Sequence, residues 1–405
     1  MIRTVEQGNE RSSTVKDLRV LAPKTLGGPQ QIFSLAPLSV FDPLILCFIQ
    51  RLSACLLKGS TYKHLPELVA LGFWLRGANI NNMVVKDTGV INKALGTVIH
   101  FTPANVDTMF VYSWVCSMLM GNNNIVRVAS AESHAKDVLL ELLDRLMSQA
   151  EHTDIAKRNA FVTYAKASDC SAVLSLQADA RIIWGGDDSV NAIRALPCKP
   201  RCRDITFADR YSAALINGGE LDSQNKITKL ASLLWKDTQP HGQQACSSPR
   251  VVFWLGDTGL QRPLFEQVDA LATKKAIPVN QLNNHLVTSQ LLQSEGAAAR
   301  PLVQNGICAL PVSSLNEKML AWHSGSGLFL VYQIDSVEQL AALVDDKLQT
   351  LSYWQIEKNS LLKLAQTPSI KSIDRIVPLG QALDFSTDWD GYELLSQLSR
   401  KIQVL

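Results

Sequence analysis

One thiol in this chain is set apart from the other seven by its neighbours. Cys246 lies in the run Gly242-Gln243-Gln244-Ala245-Cys246-Ser247-Ser248-Pro249, between a glutamine-rich approach and the apolar stretch Val251–Leu255. Small neighbours leave room for a substrate atom to reach the sulfur. They also let backbone N–H groups turn toward an oxyanion forming there. A cysteine nucleophile works as the thiolate, and a free thiol titrates near about 8.5, so its surroundings must activate it. A thiolate attacking a carbonyl there would need an N–H donor for the developing oxyanion. A small cysteine opening a buried strand has the same composition, so the remainder of the chain decides. Asn105 supplies a second part of the same chemistry. It follows Pro103-Ala104 at a strand-to-helix turn. Its side-chain amide suits both an oxyanion donor and a helix cap.

Other residues offer chemistry less selectively. His241 precedes Gly242 and is placed either to help deprotonate Cys246 or to be a solvated loop histidine. Lys199, Arg201 and Arg203 offer cations to the phosphate of a cofactor, although a solvated basic loop reads the same way. Cys198 and Cys202 lack a second ligand pair, so no metal site is expected. Ser324-Gly325-Ser326-Gly327 is composed like a phosphate loop but serves equally to admit the strand that follows. Trp389 and Tyr392 are read as packing residues.

The chain that must position these groups has 405 residues, 46% apolar and 19% charged, enough for a large core in two or three domains. Lys plus Arg is 39 against Asp plus Glu 37, a balance with no nucleic-acid footprint. The cysteines are dispersed without a CxxC pair, as in a reduced cytosolic protein. Met1–Lys16 is polar and lacks the apolar core of a signal peptide. The apolar run Met109–Met120 is too short to span a bilayer. A soluble, cytoplasmic protein is expected.

Strand and helix patterns alternate. Helices are expected at about Val40–Leu57, with Pro43 in the first turn, and at Pro66–Arg76. Strands follow at Gly96–Thr102, Ile125–Val128, Ala160–Tyr164, Ala180–Trp184 and Asp204–Phe207. Helices fall between them at Val106–Met120, His134–Ala150, Asp169–Leu176 and Val190–Leu196. Gly121 with Asn122–Asn124 reads as a left-handed helix stop. A second run places strands at Ser212–Ile216, Val251–Leu255, Gly327–Tyr332 and Asp374–Val377. Its helices are expected at Gln224–Trp235, Pro263–Thr273, Asn280–Glu295, Val337–Leu348 and Tyr353–Leu364. Such alternation predicts parallel sheets covered by helices, with ligands at the carboxyl ends of the strands. No GxGxxG follows any strand; a nucleotide is still accommodated by a helix N-terminus such as that after Gly185-Gly186.

Taken together, the two reactive stretches resemble the aldehyde dehydrogenase superfamily. Pro103-Ala104-Asn105 looks like its Pro-x-Asn turn. Gly121-Asn122-Asn123-Asn124-Ile125-Val126-Arg127 is similar to its Gly-Asn-x-x-x-x-Lys segment. Gly242–Cys246 resembles its Gly-Gln-x-Cys loop, with Gln243 where a glycine would fall. The chain resembles more closely one branch, the bacterial luminescence-type fatty acyl-CoA reductases (LuxC family). That likeness takes in Gly72-Phe73-Trp74-Leu75-Arg76, Trp184-Gly185-Gly186-Asp187, Phe207-Ala208-Asp209-Arg210-Tyr211-Ser212, Gln244–Pro249 and Trp389-Asp390-Gly391-Tyr392, from about Ala36 onward.

The resemblance implies an α/β, aldehyde-dehydrogenase-like protein with a Rossmann-type cofactor domain and an α/β catalytic domain. The expected organisation is a loose arm over 1–30, a cofactor-binding domain with a helical layer over 31–212, and a catalytic domain over 213–372. Residues 373–405 would return to the cofactor domain, with the active site in the cleft between domains. The resemblance also implies that Cys246 attacks a fatty acyl-CoA thioester and that Asn105 and the Cys246 N–H hold the oxyanion. A reduced nicotinamide then converts the acyl-cysteine to the aldehyde. Arg127 replaces the superfamily's ribose-binding lysine, and Ser130 stands where NAD-preferring members often carry Glu. NADPH is therefore expected, with Thr102, Pro103, Gly185 and Gly186 also lining the cofactor. Phe207 aligns with the general-base Glu of oxidising members, which a reductase does not need. The superfamily's Glu-x-Phe ribose contact has no counterpart near Gly325–Gly327. The expected partner is the acyl thioester, in a homo-oligomer that also works with acyl-supplying enzymes. An acyl-phosphate or short-chain acyl-CoA reductase, an acyl-transfer protein that carries the acyl group on Cys246 without hydride transfer, and a vestigial non-catalytic partner remain as alternatives.

Overall fold

The computed structural model describes residues 17–59, 61–84, 91–103, 106 and 108–404. Asn105 lies outside the described residues. The chain divides into two units, the first made of Met1–Ala104, Thr108–Ala208 and Leu395–Leu405, the second of Asn105–Asp107 and Asp209–Leu394.

In the first unit the strands are β1 (Arg19–Ala22), β2 (Ile91–Ala94), β3 (Thr97–Phe101), β4 (Asn123–Arg127), β5 (Asn159–Thr163), β6 (Ala180–Trp184) and β7 (Arg203–Phe207). Six of them form a sheet in the order β1-β5-β4-β3-β6-β7, parallel except for β1. Every residue of β3 and β6 is buried, as in a parallel sheet covered on both faces. The helices are α1 (Pro43–Leu57), α2 (Pro66–Trp74), α3 (Gly77–Asn82), α4 (Met109–Leu119), α5 (His134–Met147), α6 (Thr153–Arg158), α7 (Cys170–Gln177) and α8 (Asp187–Arg194). The apolar run at Met109 is an interior helix, buried at every position except Tyr112. Among the described residues no helix is long and apolar enough to cross a membrane.

Strand β1 lies within the segment expected as a loose arm, and Pro29–Ser34 forms a 3-10 turn. The pairing of β1 with β5 satisfies a sheet edge that a free arm would leave open. At the other end, only Leu395–Leu405 of the expected returning segment joins this unit. Its strand Ser399–Ile402 pairs with β2. The Asn122–Asn124 triplet is a buried polar spine rather than part of a turn. Gly121 alone supplies the left-handed stop, at φ 80°. Asn122 accepts the Leu95 N–H at 2.8 Å and donates to the Leu398 carbonyl at 2.8 Å. Asn123 donates to the carbonyl of Leu35 at 2.7 Å. Asn124 accepts from His100 Nε2 at 3.0 Å, and burial pushes the His100 imidazole down to about 4, so it stays neutral. These amides tie the N-terminal and C-terminal segments to the sheet.

The second unit continues with β8 (Tyr211–Asn217), β9 (Pro249–Leu255), β10 (Val303–Gln304), β11 (Cys308–Val312), β12 (Leu328–Ile334), β13 (Leu348–Trp354), β14 (Arg375–Pro378), β15 (Asp388–Trp389) and β16 (Tyr392–Glu393). Seven of them form a sheet in the order β10-β11-β12-β9-β8-β13-β14, parallel except for β10. The main helices are α9 (Gln224–Thr238), α10 (Gln261–Ala272) and α11 (Val279–Ser294). Apolar clusters fill both faces of this sheet.

Two helices expected here are shorter than their expected ranges. Val337–Leu348 supplies only a 3-10 turn, Val337–Gln339, and a four-residue α-helix, Leu340–Leu343, and Tyr353 belongs to β13. The sequence disguises β13 because Gln349, Thr350 and Ser352 are wholly buried polar residues in a central strand. Their groups bond inside the sheet, Thr350 N–H to Ser212 Oγ at 3.1 Å and Ser352 Oγ to the Ala213 carbonyl at 3.3 Å. Helix begins again at Lys358–Ala365, past Glu357.

Candidate active site

The approach to Cys246 is a left-handed run. His241, Gly242 and Gln243 have φ of 54°, 57° and 62°. L residues avoid this region, so surrounding contacts must hold it. The contacts come from a second left-handed run, Gly325, Ser326 and Gly327, at φ 74°, 58° and 90°. Ser326 N–H donates to the Gly242 carbonyl at 2.8 Å. The fully buried Gln243 accepts from Gly327 N–H at 2.8 Å and donates to the carbonyls of Pro249 at 2.7 Å and Leu328 at 2.8 Å. Gln244 donates to the Ser324 carbonyl at 3.1 Å. The two runs interlock, and Gln243 is the clamp between them. Sequence reasoning treated Gln243 as a departure from a pattern and Ser324–Gly327 as a strand entry. Only the three-dimensional contacts assign them a role in shaping the cysteine loop.

Two histidines brace the second run. His323 Nδ1 accepts from Gly325 N–H at 3.1 Å, so Nε2 carries the proton and donates to the Leu328 carbonyl at 2.9 Å. Burial holds His323 down at about 3. His285, on the buried face of α11, donates from Nε2 to the Gly325 carbonyl at 3.3 Å, and burial lowers its pKa as well.

Cys246 is half-buried at the end of this loop, and its carbonyl accepts from Ser212 Oγ at 2.6 Å. Burial pushes its thiol up to about 12. The Asp390 carboxylate adds to that rise, while its own backbone N–H, Arg250 and Arg210 oppose it. The resting sulfur is therefore a thiol, and the two arginines alone do not make it a thiolate at neutral pH. Arg250 enters β9 at a bulge, since Ser212 pairs with Pro249 and Ala213 with Val251. Bulges beside reactive groups re-aim a side chain. The Arg250 Nε is buried without a hydrogen-bond partner, and burial lowers the affinity of the guanidinium for its proton.

A second ionic group sits against the same strands. Arg210 donates to the carbonyls of Lys347 at 3.2 Å and Leu348 at 3.1 Å, pairs with Asp374 at 2.8 Å and lies 4.0 Å from Asp390. Asp390 and Gly391, at φ 51° and 74°, form the two-residue turn between β15 and β16. Two left-handed residues define the hairpin turn for which Asp-Gly is a preferred pair. Trp389 packs, as expected, on Phe385 with centroids 4.9 Å apart, under the Arg375 guanidinium at 4.3 Å.

In the first unit, Thr102, Pro103, Arg127, Gly185 and Gly186 all fall at the carboxyl ends of β3, β4 and β6. The strand order reverses about β3, and open α/β sheets hold ligands at such a switch point. Thr102 Oγ1 donates to the Arg127 carbonyl at 2.8 Å. Arg127 is half-buried over the Tyr164 ring at 5.6 Å, and Ser130 is exposed. Trp184 and Phe207 stack 3.7 Å apart at 13°, both buried, with Trp184 Nε1 lacking a partner. A Cβ on Gly186 would meet open space. The first turn of α8 carries Asp187 and Asp188, which spend the positive end of the helix dipole. That terminus is consequently a poor phosphate seat, and Arg127 is the cation at this edge suited to one.

Two of the three basic loop candidates are engaged elsewhere, and Arg201 is exposed. Lys199 pairs with Asp179 at 2.9 Å. Arg203 donates to the carbonyls of Ser396 at 3.3 Å, Ser399 at 3.1 Å and Gln397, holding the C-terminal segment. Cys198 and Cys202 share a hydrogen bond, and among the described residues no group of His, Cys, Asp and Glu could hold a metal.

This pair of parallel α/β sheets, with a cysteine at the head of a central strand of the second, has the aldehyde dehydrogenase fold. The chain is similar to lactaldehyde dehydrogenase of Escherichia coli (12% identity, 93% of this chain and 88% of that one covered, TM-score 0.64). It is also similar to an NAD-dependent benzaldehyde dehydrogenase of Corynebacterium glutamicum (13% identity, 93% and 88% covered, TM-score 0.63). PnpE in complex with nicotinamide adenine dinucleotide is similar as well (13% identity, 94% and 85% covered, TM-score 0.62). No match was found among the curated proteins. Residues 82–282 match the model of the family described as Acyl-CoA reductase (LuxC).

Proposed function

We propose that this protein reduces a long-chain fatty acyl-CoA to the fatty aldehyde through an acyl-cysteine on Cys246, with NADPH as reductant. The observation that carries the reading is the Cys246 loop. Two interlocked left-handed runs present one half-buried sulfur at the head of β9, with the buried, partnerless Nε of Arg250 at the adjoining bulge. Among eight cysteines only this one has such a setting. Cys116, Cys170 and Cys308 are buried, while Cys47 and Cys55 lie in α1.

In this reading the Cys246 sulfur attacks the thioester carbon. The backbone N–H of Cys246 steadies negative charge at the site, and Asn105 is the proposed side-chain donor to the oxyanion. Arg250 supplies a nearby positive charge while the sulfur is anionic. The carboxyl edge of the first sheet fits a nicotinamide dinucleotide. Arg127 and Ser130 would receive the adenosine ribose and its 2′-phosphate, and Thr102, Pro103, Gly185 and Gly186 would line the rest. When bound, the nicotinamide supplies the hydride that reduces the acyl-cysteine. Phe207 offers no proton acceptor where oxidising relatives carry a glutamate, so water is not activated there.

The test is to incubate the protein with labelled acyl-CoAs of increasing chain length and map the label by peptide mass, then to add NADPH and trap the aldehyde. Label is expected on Cys246 alone, absent from Cys246→Ala, stable without reductant and discharged as aldehyde with it. Label on another cysteine, or discharge to the free acid without NADPH, would overturn the reading.

A further inference from the structure

The acyl-cysteine reading leaves one need unmet, because burial keeps the Cys246 thiol protonated. Its proton must go to a nearby group as the sulfur attacks. The bracing histidines are poor acceptors. Both ring nitrogens of His323 are committed, one to the Gly325 N–H and one to the Leu328 carbonyl. His285 spends its Nε2 proton on the Gly325 carbonyl, and burial lowers its proton affinity.

Asp390 is different. An aspartate in an Asp-Gly hairpin turn normally faces solvent, because the turn needs only its backbone. Here the side chain is 4% exposed and its Oδ1 makes no hydrogen bond. A buried carboxylate oxygen without a hydrogen bond, its cation Arg210 only at 4.0 Å, calls for a functional explanation. Asp390 and Cys246 are anchored to the same ends of β8 and β13. Ser212, at the start of β8, holds the Cys246 carbonyl and the Thr350 N–H. Arg210, two residues earlier, pairs with Asp374 and lies 4.0 Å from Asp390 Oδ1. Of the charged groups acting on the Cys246 thiol, the Asp390 carboxylate has the largest effect.

We propose that Asp390 carries the proton of the acylation half-reaction, taking it from Cys246 and returning it to the departing coenzyme A sulfur. As the Cys246 Sγ–carbon bond forms, the Sγ proton passes through one water to the Asp390 carboxylate, whose Oδ1 has no other hydrogen bond. That transfer removes the negative charge opposing the thiolate and leaves Arg250 and Arg210 to favour it. When the carbon–sulfur bond to coenzyme A breaks, the Asp390 proton goes to the leaving sulfur. Cys246 ends acylated, the coenzyme leaves as a thiol and Asp390 is again ionised, so atoms and charge balance. Burial raises the Asp390 pKa against the pull of Arg210 and Gln349; Asp374 raises it further and Arg375 lowers it. This makes the carboxylate a better acceptor than a solvated one.

This inference rests on the acyl-cysteine reading and deepens it. The test uses Asp390→Asn, since Asn-Gly is also a preferred pair in this turn and keeps the hairpin. Acyl-Cys246 formation from dodecanoyl-CoA is followed by rapid quench and mass spectrometry across pH. Alkylation of Cys246 by iodoacetamide, without acyl-CoA, reports the thiolate separately. The variant is expected to acylate about a hundredfold more slowly, the usual loss with a general base. The native rise of acylation with pH, as Asp390 ionises, should also disappear. Alkylation at pH 8 should be as fast as in the native protein or faster, because a charge opposing the thiolate is gone. A variant that acylates at the native rate overturns this inference and leaves the reading standing. Acylation and alkylation that fall together overturn it too, by marking Asp390 as structural. A native protein that never forms acyl-Cys246 overturns the reading, and this inference with it.

Discussion

At the scale of single residues, the proposed preference for NADPH rests on Arg127 and Ser130. Arg127 ends β4, half-buried over Tyr164, and Ser130 is exposed three residues on. A charge-assisted contact to phosphate contributes about 1.5–3 kcal/mol, which is roughly tenfold or more in affinity. The native protein should bind NADPH at least about tenfold tighter than NADH. Ser130→Glu places a carboxylate beside the expected 2′-phosphate and should erode or reverse that ratio. Kd values for both cofactors, from quenching of intrinsic fluorescence, check it. Equal affinities in the native protein would count against the assignment. Gln243 teaches the opposite lesson. Its type suggested nothing beyond a mismatch to a glycine, yet its amide makes three hydrogen bonds that bind the cysteine loop to β9 and β12.

At the scale of elements, the Cys246 loop depends on a second loop distant in sequence. A Cβ on Gly325 would strike the Gln244 side chain and approach the Gly242 carbonyl to 2.8 Å, at a φ of 74° that L residues rarely adopt. Gly325→Ala should cost about 1–3 kcal/mol of stability. It should slow Cys246 acylation more than it lowers Tm, because the displaced atoms belong to the cysteine loop. Rapid-quench acylation and a thermal melt of the same preparation separate the two effects. Unchanged acylation would mean that the second run does not shape the first. Helix α11 shows how a face can mislead. It buries His285, Thr288, Ser289 and Leu292 while exposing Val279, Leu282, Leu286, Val287 and Leu291, the reverse of an ordinary surface helix.

At the scale of the whole molecule, the chain leaves the first unit near residue 208 and returns to it at Leu395. The returning segment pairs Ser399–Ile402 with β2 and accepts donors from Asn122 and Arg203. Deleting 395–404 would cost the buried Asn122 amide one of its two acceptors and strip the Arg203 guanidinium of the Ser396, Gln397 and Ser399 carbonyls. Each unsatisfied polar group costs about 1–3 kcal/mol, and more for a charged one. The truncated protein should melt at lower temperature, with amides of β2, β3 and β4 exchanging faster and those of β9 and β12 protected as before. Hydrogen exchange read by mass spectrometry checks this. Uniform loss of protection in both units would argue against a segment that serves the first alone.

Composition and alternation alone were enough for an α/β protein with parallel sheets, because continuous apolar strands and amphipathic helices write their periods into local sequence. The short strings around Cys246 and Arg127 likewise marked the family, since reactive groups need particular neighbours in the chain. What local sequence could not hold was any feature made by residues far apart. Strand β13 hid behind buried polar residues whose partners lie on β8. The Asn122–Asn124 triplet looked like a turn because its partners, Leu35 and Leu398, are remote. Asp390 looked like a turn residue, and only folding brought its carboxyl to the strands that hold Cys246. Propensity and pattern are local, whereas burial, hydrogen-bond partnership and electric field are settled by whatever the fold brings near.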